Sequence, residues 1–122
     1  MSRLSVVNSP FMDPSRWVMS DKRAVAMRDG YPVSDRHTLV VPRRLVRSVF
    51  DMDDKEWLSC VHILRRIAGD IRADGFNVGV NIGEAAGQTV AHAHIHLIPR
   101  YRGDVEKPRG GVRNVIPHKG HY

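Results

Sequence analysis

Cysteine is nearly absent: Cys60 stands alone among 122 residues. No intrachain disulfide can form and no Cys-x-x-Cys knuckle exists, which excludes a disulfide scaffold and a thiolate zinc ribbon. Long apolar runs are missing too. No stretch approaches the ~18 residues that a membrane span needs, so no membrane partner is expected. Residues 1–10 lack the apolar core of a signal peptide, and with the single thiol this gives the expectation of a cytoplasmic protein. There is no internal repeat and no low-complexity segment. Acidic side chains are outnumbered, 13 against 19 basic ones, for a formal charge of +6. Such a surface attracts anions, but charge alone does not choose among nucleic acid, lipid and nucleotide.

What is present is patterned. Residues 1–15 are polar, and residues 101–122 are rich in glycine, proline and basic side chains. Both read as arms over the surface of one domain spanning 1–122. Trp17-Val18-Met19 and Ala24-Val25-Ala26-Met27 flank the polar turn Ser20-Asp21-Lys22-Arg23, a β-hairpin. His37-Thr38-Leu39-Val40-Val41 is β-branched and stops at Pro42, another strand. A long helix is predicted over 54–73. Asp53 and Glu56 stand at capping-box spacing, and Trp57, Cys60, Val61, Leu64, Ile67, Ala68 and Ile71 form one apolar stripe. Gly75 reads as its left-handed stop. A shorter helical turn is expected near 45–50. Residues 76–82 and 89–99 read as strands joined by a glycine loop. Strands on both sides of one long helix predict an α+β domain with a mainly antiparallel sheet.

Histidine alternates with apolar residues in His92-Ala93-His94-Ile95-His96-Leu97. On a strand, alternate side chains share a face, so the imidazoles stand together and the aliphatic side chains meet the core. Three readings are open. Chance on a half-exposed sheet is one. Metal ligation is another, although ~3.3 Å per residue puts His92 about 13 Å from His96 along the backbone. Metal–nitrogen bonds are only ~2.0–2.1 Å, so one ion takes two of these rings at most. The third is phosphorus chemistry. A neutral imidazole is nucleophilic near neutral pH, and its neighbours can hydrogen-bond phosphate oxygens or protonate a leaving group. The loop Gly83-Glu84-Ala85-Ala86-Gly87-Gln88-Thr89 offers backbone amides to phosphate. It is not a P-loop, since no Lys-Ser/Thr follows.

Gly87-Gln88-Thr89-Val90 followed by His92-Ala93-His94-Ile95-His96-Leu97-Ile98 resembles the histidine-triad superfamily. Asn81-Ile82-Gly83-Glu84-Ala85-Ala86-Gly87 resembles its fragile-histidine-triad and related bacterial branches. The resemblance runs from about Ser9 to Arg100. It implies a five-stranded antiparallel sheet with one long and one short helix, and a homodimer. It implies a hydrolase that cleaves dinucleoside polyphosphates or nucleotide phosphoramidates at the α-phosphate through a covalent nucleotidyl-histidine. By position, His94 resembles the nucleophile and His96 the contact to the α-phosphate and leaving group. His92 resembles the residue that orients the nucleophile, partly through its backbone carbonyl, and His37 a supporting histidine. Gln88 and Thr89 match phosphate and leaving-group contacts, Asn81 the polar residue that reaches the phosphate or ribose region, and Asp29 the holder of the ribose hydroxyls. The expected partner is a purine nucleotide such as AMP or a dinucleoside polyphosphate. Nucleic acid is not expected, nor a tightly bound cofactor beyond Mg²⁺ travelling with a polyphosphate. Arg100, Arg102, Arg109 and Arg113 are candidates for attracting that anion.

Two departures from the family pattern bear on chemistry. Many relatives carry Cys-x-x-Cys near the N-terminus and a further histidine after the third strand, a zinc site shared with the first triad histidine. Here those stretches read Ser9-Pro10-Phe11-Met12 and Arg43-Arg44-Leu45, so no metal site is expected. Transferase branches replace the third histidine by glutamine, whereas His96 is kept, which favours hydrolysis. A nucleotide-sensing module with incidental turnover and a metal-centred hydrolase are the competing functions.

Overall fold

Turn chemistry starts the sheet. Asp21 Oδ1 accepts the N–H groups of Arg23 and Ala24 at 2.9 and 2.8 Å, closing the hairpin between β1 (Trp17–Ser20) and β2 (Ala24–Arg28). A computed structural model describes residues 9–122; residues 1–8, half of the predicted N-terminal arm, lie outside the described residues. The further elements are β3 (Thr38–Pro42), α1 (Asp54–Gly69), β4 (Gly75–Gly79) and β5 (Ile95–Arg100). The sheet order is β1-β2-β3-β5-β4 with every neighbouring pair antiparallel, the five-stranded sheet and long helix that the resemblance implied. The short helix near 45–50 is a 3-10 turn, Val49–Asp51, capped by Ser48.

The capping box is present: Glu56 N–H donates to Asp53 Oδ1 at 2.8 Å and Asp53 N–H to Glu56 Oε1 at 2.9 Å. The helix stops at Gly69, short of the predicted 73. Asp70 N–H and Ile71 N–H turn back to Ile67 and Ala68, tightening the last turn. Gly75 is not a left-handed stop; it opens β4 without a positive φ. Cys60, Ile63 and Ile67 make the buried apolar line of the helix, continued past its end by Ile71, and Ile63 is absent from the predicted stripe. Val61 and Leu64 flank that line half-buried. The line packs on Ala24, Ala26, Val40, Ile95 and Leu97, each large side chain contributing about 1.5–3 kcal/mol.

The opposite face of β2 and β3 is equally dry. Phe11, Val25, Met27, Leu39 and Val41 form a second core there. The lid over it is the segment read as a surface arm. It makes two 3-10 turns, Pro10–Met12 and Pro14–Arg16, and Trp17 Nε1–H donates to Phe11 O at 2.9 Å. The C-terminal arm also folds. Arg100 reaches both carboxylate oxygens of Asp104 and Asn77 Oδ1, while Arg109 and Arg113 stack on Tyr122. Three of the four arginines expected to attract polyphosphate therefore already have partners. Among the described residues, no helix is long and apolar enough to cross a membrane.

The histidine strand begins later than predicted. β5 starts at Ile95, and His92 to His94 lie in the bend before it. Pairing with β3 reaches only Val40↔Ile95, so no ladder exists to hold the earlier residues extended. Ala93 is held instead by its N–H on Val46 O at 2.7 Å. Ala93, Ile95 and Leu97 do meet the helix-side core, which turns the histidines to the other side.

Candidate active site

Hydrogen-bond directions assign the proton on each ring. His92 is 1% exposed, and its Nε2 lies 2.7 Å from Pro42 O and 3.1 Å from Arg44 O. Carbonyls only accept, so Nε2 carries the proton and Nδ1 takes the hydroxyl proton of Ser9 at 2.7 Å. A two-pronged ion pair of Arg44 with buried Glu56 fixes the segment supplying one of those carbonyls. The backbone carbonyl of His92 accepts His94 Nδ1–H at 2.8 Å. That leaves His94 Nε2 as a lone-pair nitrogen.

A second relay ends at His96. Val33 N–H donates to His37 Nδ1 at 3.1 Å, so the His37 proton sits on Nε2. That N–H faces His96 Nδ1 at 2.9 Å, and His96 keeps its own proton on Nε2. Asp29 Oδ2 lies 3.4 Å from His37 Nε2 and 3.9 Å from His96 Nδ1. The left-handed Arg36 (φ 63°) forms the tight turn that delivers His37 to this place.

Burial dominates the electrostatics. It holds His37, His92 and His94 below the ordinary histidine value, opposed at His37 by Asp29 and at the other two by carbonyl acceptors. His96 is pushed down to about 4 by burial first, then by its histidine neighbours. All four rings are thus neutral at neutral pH. A folded-state value below the unfolded one means the unfolded chain binds more protons as pH falls. Stability is therefore lost between pH ~6.5 and about 4, with His96 contributing on the order of 3 kcal/mol. Melting temperature should fall across that window. A His96→Gln variant should lose part of the slope, and an unchanged slope would contradict the burial argument.

His94 and His96 open into a cleft of about 300 Å³. Phe11, Leu39 and Val90 give it an apolar wall, and Asp29, Asn81 and Thr89 give it polar groups. Of the residues picked from sequence, His94, His96, Asp29, Asn81 and Thr89 line this cleft, with His37 and His92 directly behind. Gln88 does not. It is 4% exposed, its Oε1 accepts Gly83 N–H at 2.9 Å, and its Nε2 donates to Arg47 O and Val90 O at 2.8 and 3.0 Å. Its amide staples the glycine loop and does not face the cleft. Ser9, Phe11, Leu39 and Val90 escaped the sequence reading. Ser9-Pro10 has the look of a capped turn, but nothing in it points to His92.

Asp29 Oδ2, His37 Nε2 and His96 Nδ1 lie within 4.8 Å of one another, close enough to share an ion. The tautomers argue otherwise. A neutral His37 binding metal through Nε2 must carry its proton on Nδ1, where Val33 N–H already points. The set is better suited to sharing protons.

The HIT domain model matches residues 11–103. An uncharacterised HIT-like protein of Methanocaldococcus jannaschii is 36% identical over 106 residues, covering 84% of this chain and 82% of its own. A bis(5'-adenosyl)-triphosphatase of Dictyostelium discoideum is 40% identical over 79 residues, covering 62% of this chain and 53% of its own. The crystal structure of a HIT-family member from Bacillus subtilis superposes with a TM-score of 0.68 at 33% identity, covering 82% of each chain. With the triad, its supporting histidine and the antiparallel sheet all in place, the chain belongs to the HIT domain family.

Proposed function

We propose that this protein hydrolyses dinucleoside polyphosphates at the α-phosphate, His94 being the nucleophile. The observation that carries the reading is the lone pair of His94 Nε2 in the cleft, fixed by the Nδ1–H bond to His92 O. In this reading Phe11, Leu39 and Val90 take the base, and Asp29 the ribose. Asn81 and Thr89 take phosphate oxygens. His94 Nε2 attacks phosphorus, the bond to the leaving oxygen breaks, and a nucleotidyl-His94 forms. His96 Nε2–H donates to the departing oxygen as charge grows there. Water then cleaves the P–N bond and frees His94.

A neutral His96 bears on the substrate class. A polyphosphate leaves as an anion stable near neutral pH, whereas the amine of a phosphoramidate must be protonated before it departs. The site therefore suits the polyphosphate better. The relative named a bis(5'-adenosyl)-triphosphatase supports the same choice. Mg²⁺ would enter with the substrate, and the tautomer of His37 disfavours a metal-centred hydrolase. Among the described residues β4 is an edge strand, with Phe76 and Val78 exposed on it and the turn Gly111–Val115 beside it, which supports a homodimer.

The test is a panel of diadenosine polyphosphates, adenosine phosphoramidate and AMP, with mass spectrometry of the quenched protein. Turnover of the polyphosphates with an adenylyl adduct on His94 is expected, and it should survive EDTA once free Mg²⁺ is restored. Saturable AMP binding without turnover of any substrate would leave the sensing module as the function.

A further inference from the structure

We propose that Ser9 is a positioning residue for the chemistry at His94, the latch of a metal-free clamp fastening the N-terminal segment over the triad. The proposal rests on the nucleotidyl-transfer reading above. Ser9 Oγ does two things at once. It accepts Phe11 N–H at 3.1 Å and donates to His92 Nδ1 at 2.7 Å, across 83 positions of sequence. The other nitrogen of the same ring donates to Pro42 O and Arg44 O. One buried imidazole is thereby tied at both ends, to residues 9–11 on one side and 42–44 on the other. These are the stretches, Ser9-Pro10-Phe11-Met12 and Arg43-Arg44-Leu45, where the sequence offers neither cysteine nor histidine. A hydroxyl and two carbonyls fasten the two segments with protons where an ion would use lone pairs.

Two consequences reach the reacting atoms. With both nitrogens engaged, His92 is held in one tautomer and one orientation, and its carbonyl in turn holds His94 Nδ1–H. The Ser9 cap also begins the turn Pro10–Met12. That turn sets the Phe11 ring edge-on to His94 at 4.9 Å, and Pro10 and Phe11 both line the cleft. Releasing the hydroxyl therefore loosens the nucleophile and the wall that faces it. Misplacement by about 1 Å can cost ~10²-fold in rate.

The experiment uses the full chain with Ser9→Ala and Ser9→Thr. Steady-state kinetics with diadenosine triphosphate, AMP affinity by calorimetry, ring ¹⁵N spectra and melting temperature are compared. Ser9→Ala should lower kcat/KM by about 10- to 100-fold, with a loss in kcat at saturating substrate. It should also weaken AMP and speed water exchange of His94 Nδ1–H. Ser9→Thr keeps the hydroxyl and should return all three close to wild type. Ser9→Ala with wild-type kcat, AMP affinity and proton exchange overturns the proposal, as does a lower melting temperature with kcat intact. A well-folded Ser9→Thr that fails to rescue overturns it too. If the wild-type protein turns over no substrate, the nucleotidyl-transfer reading fails instead. The proton exchange and AMP series, which need no turnover, then decide the clamp alone.

Discussion

Replacing His94 by alanine is expected to lower kcat by about 10³-fold or more while leaving a folded protein. The size follows from what the ring supplies. The other three histidines have their nitrogens committed to Ser9, to carbonyls, to Val33 or to one another, or hold a proton towards the cleft. Of the four rings only His94 presents a lone pair there, so no neighbouring imidazole can take over the attack. What would remain is binding and the donors that stabilise developing charge, which sustain a small residual rate. The cost to folding is modest by comparison. Among the described residues the side-chain hydrogen bond lost is the one to His92 O, and the cavity opens onto a cleft that water already reaches. Single-turnover kinetics with diadenosine triphosphate and adduct detection would check it. A His94→Ala enzyme with wild-type kcat would remove the nucleophile from the mechanism.

Local rules made parts of this molecule legible. The Asp53–Glu56 box is a contact between residues three apart, and it forms as its spacing predicts. The period-two alternation put Ala93, Ile95 and Leu97 on the core side, which placed the histidines on the other. Matching the HxHxH run to its family then located Asp29, His37 and Asn81, which no periodicity marks. The failures share a cause as well. Ser9 meets His92 across 83 positions and Gln88 meets Arg47 across 41. Such partners are chosen by the closing of the fold, and no pattern within either segment names them. The same holds for the strand start at Ile95: β3 runs on to Pro42, but the chain before Ile95 leaves it and Ala93 N–H bonds Val46 O instead. The arms read as surface because they are polar and rich in turn residues, yet the described part of the first is seated by buried Phe11 and by the bonds of Ser9 and Trp17.

Gln88 separates a reading by motif from a reading by contact, and the two disagree about a measurable quantity. If its amide touched phosphate, Gln88→Ala would lower turnover and leave stability almost unchanged. The geometry predicts a different result. Its amide satisfies Gly83 N–H, Arg47 O and Val90 O, and the whole side chain is buried. Alanine would leave one donor and two acceptors in partly buried surroundings without their partner, at ~1–3 kcal/mol for each that water cannot reach. A loss on the order of 3 kcal/mol in urea unfolding is therefore expected. The loop it staples holds Gly83 (φ 89°) and Gly87 (φ 93°) and carries Thr89 and Val90 into the cleft. Freeing it should raise KM and lower kcat together, by roughly tenfold or more. Gln88→Glu is the sharper probe. It keeps the acceptor for Gly83 N–H but puts a second acceptor against the carbonyls of Arg47 and Val90, so it should destabilise at least as much as alanine. Full stability in Gln88→Glu, with activity alone reduced, would return Gln88 to the phosphate.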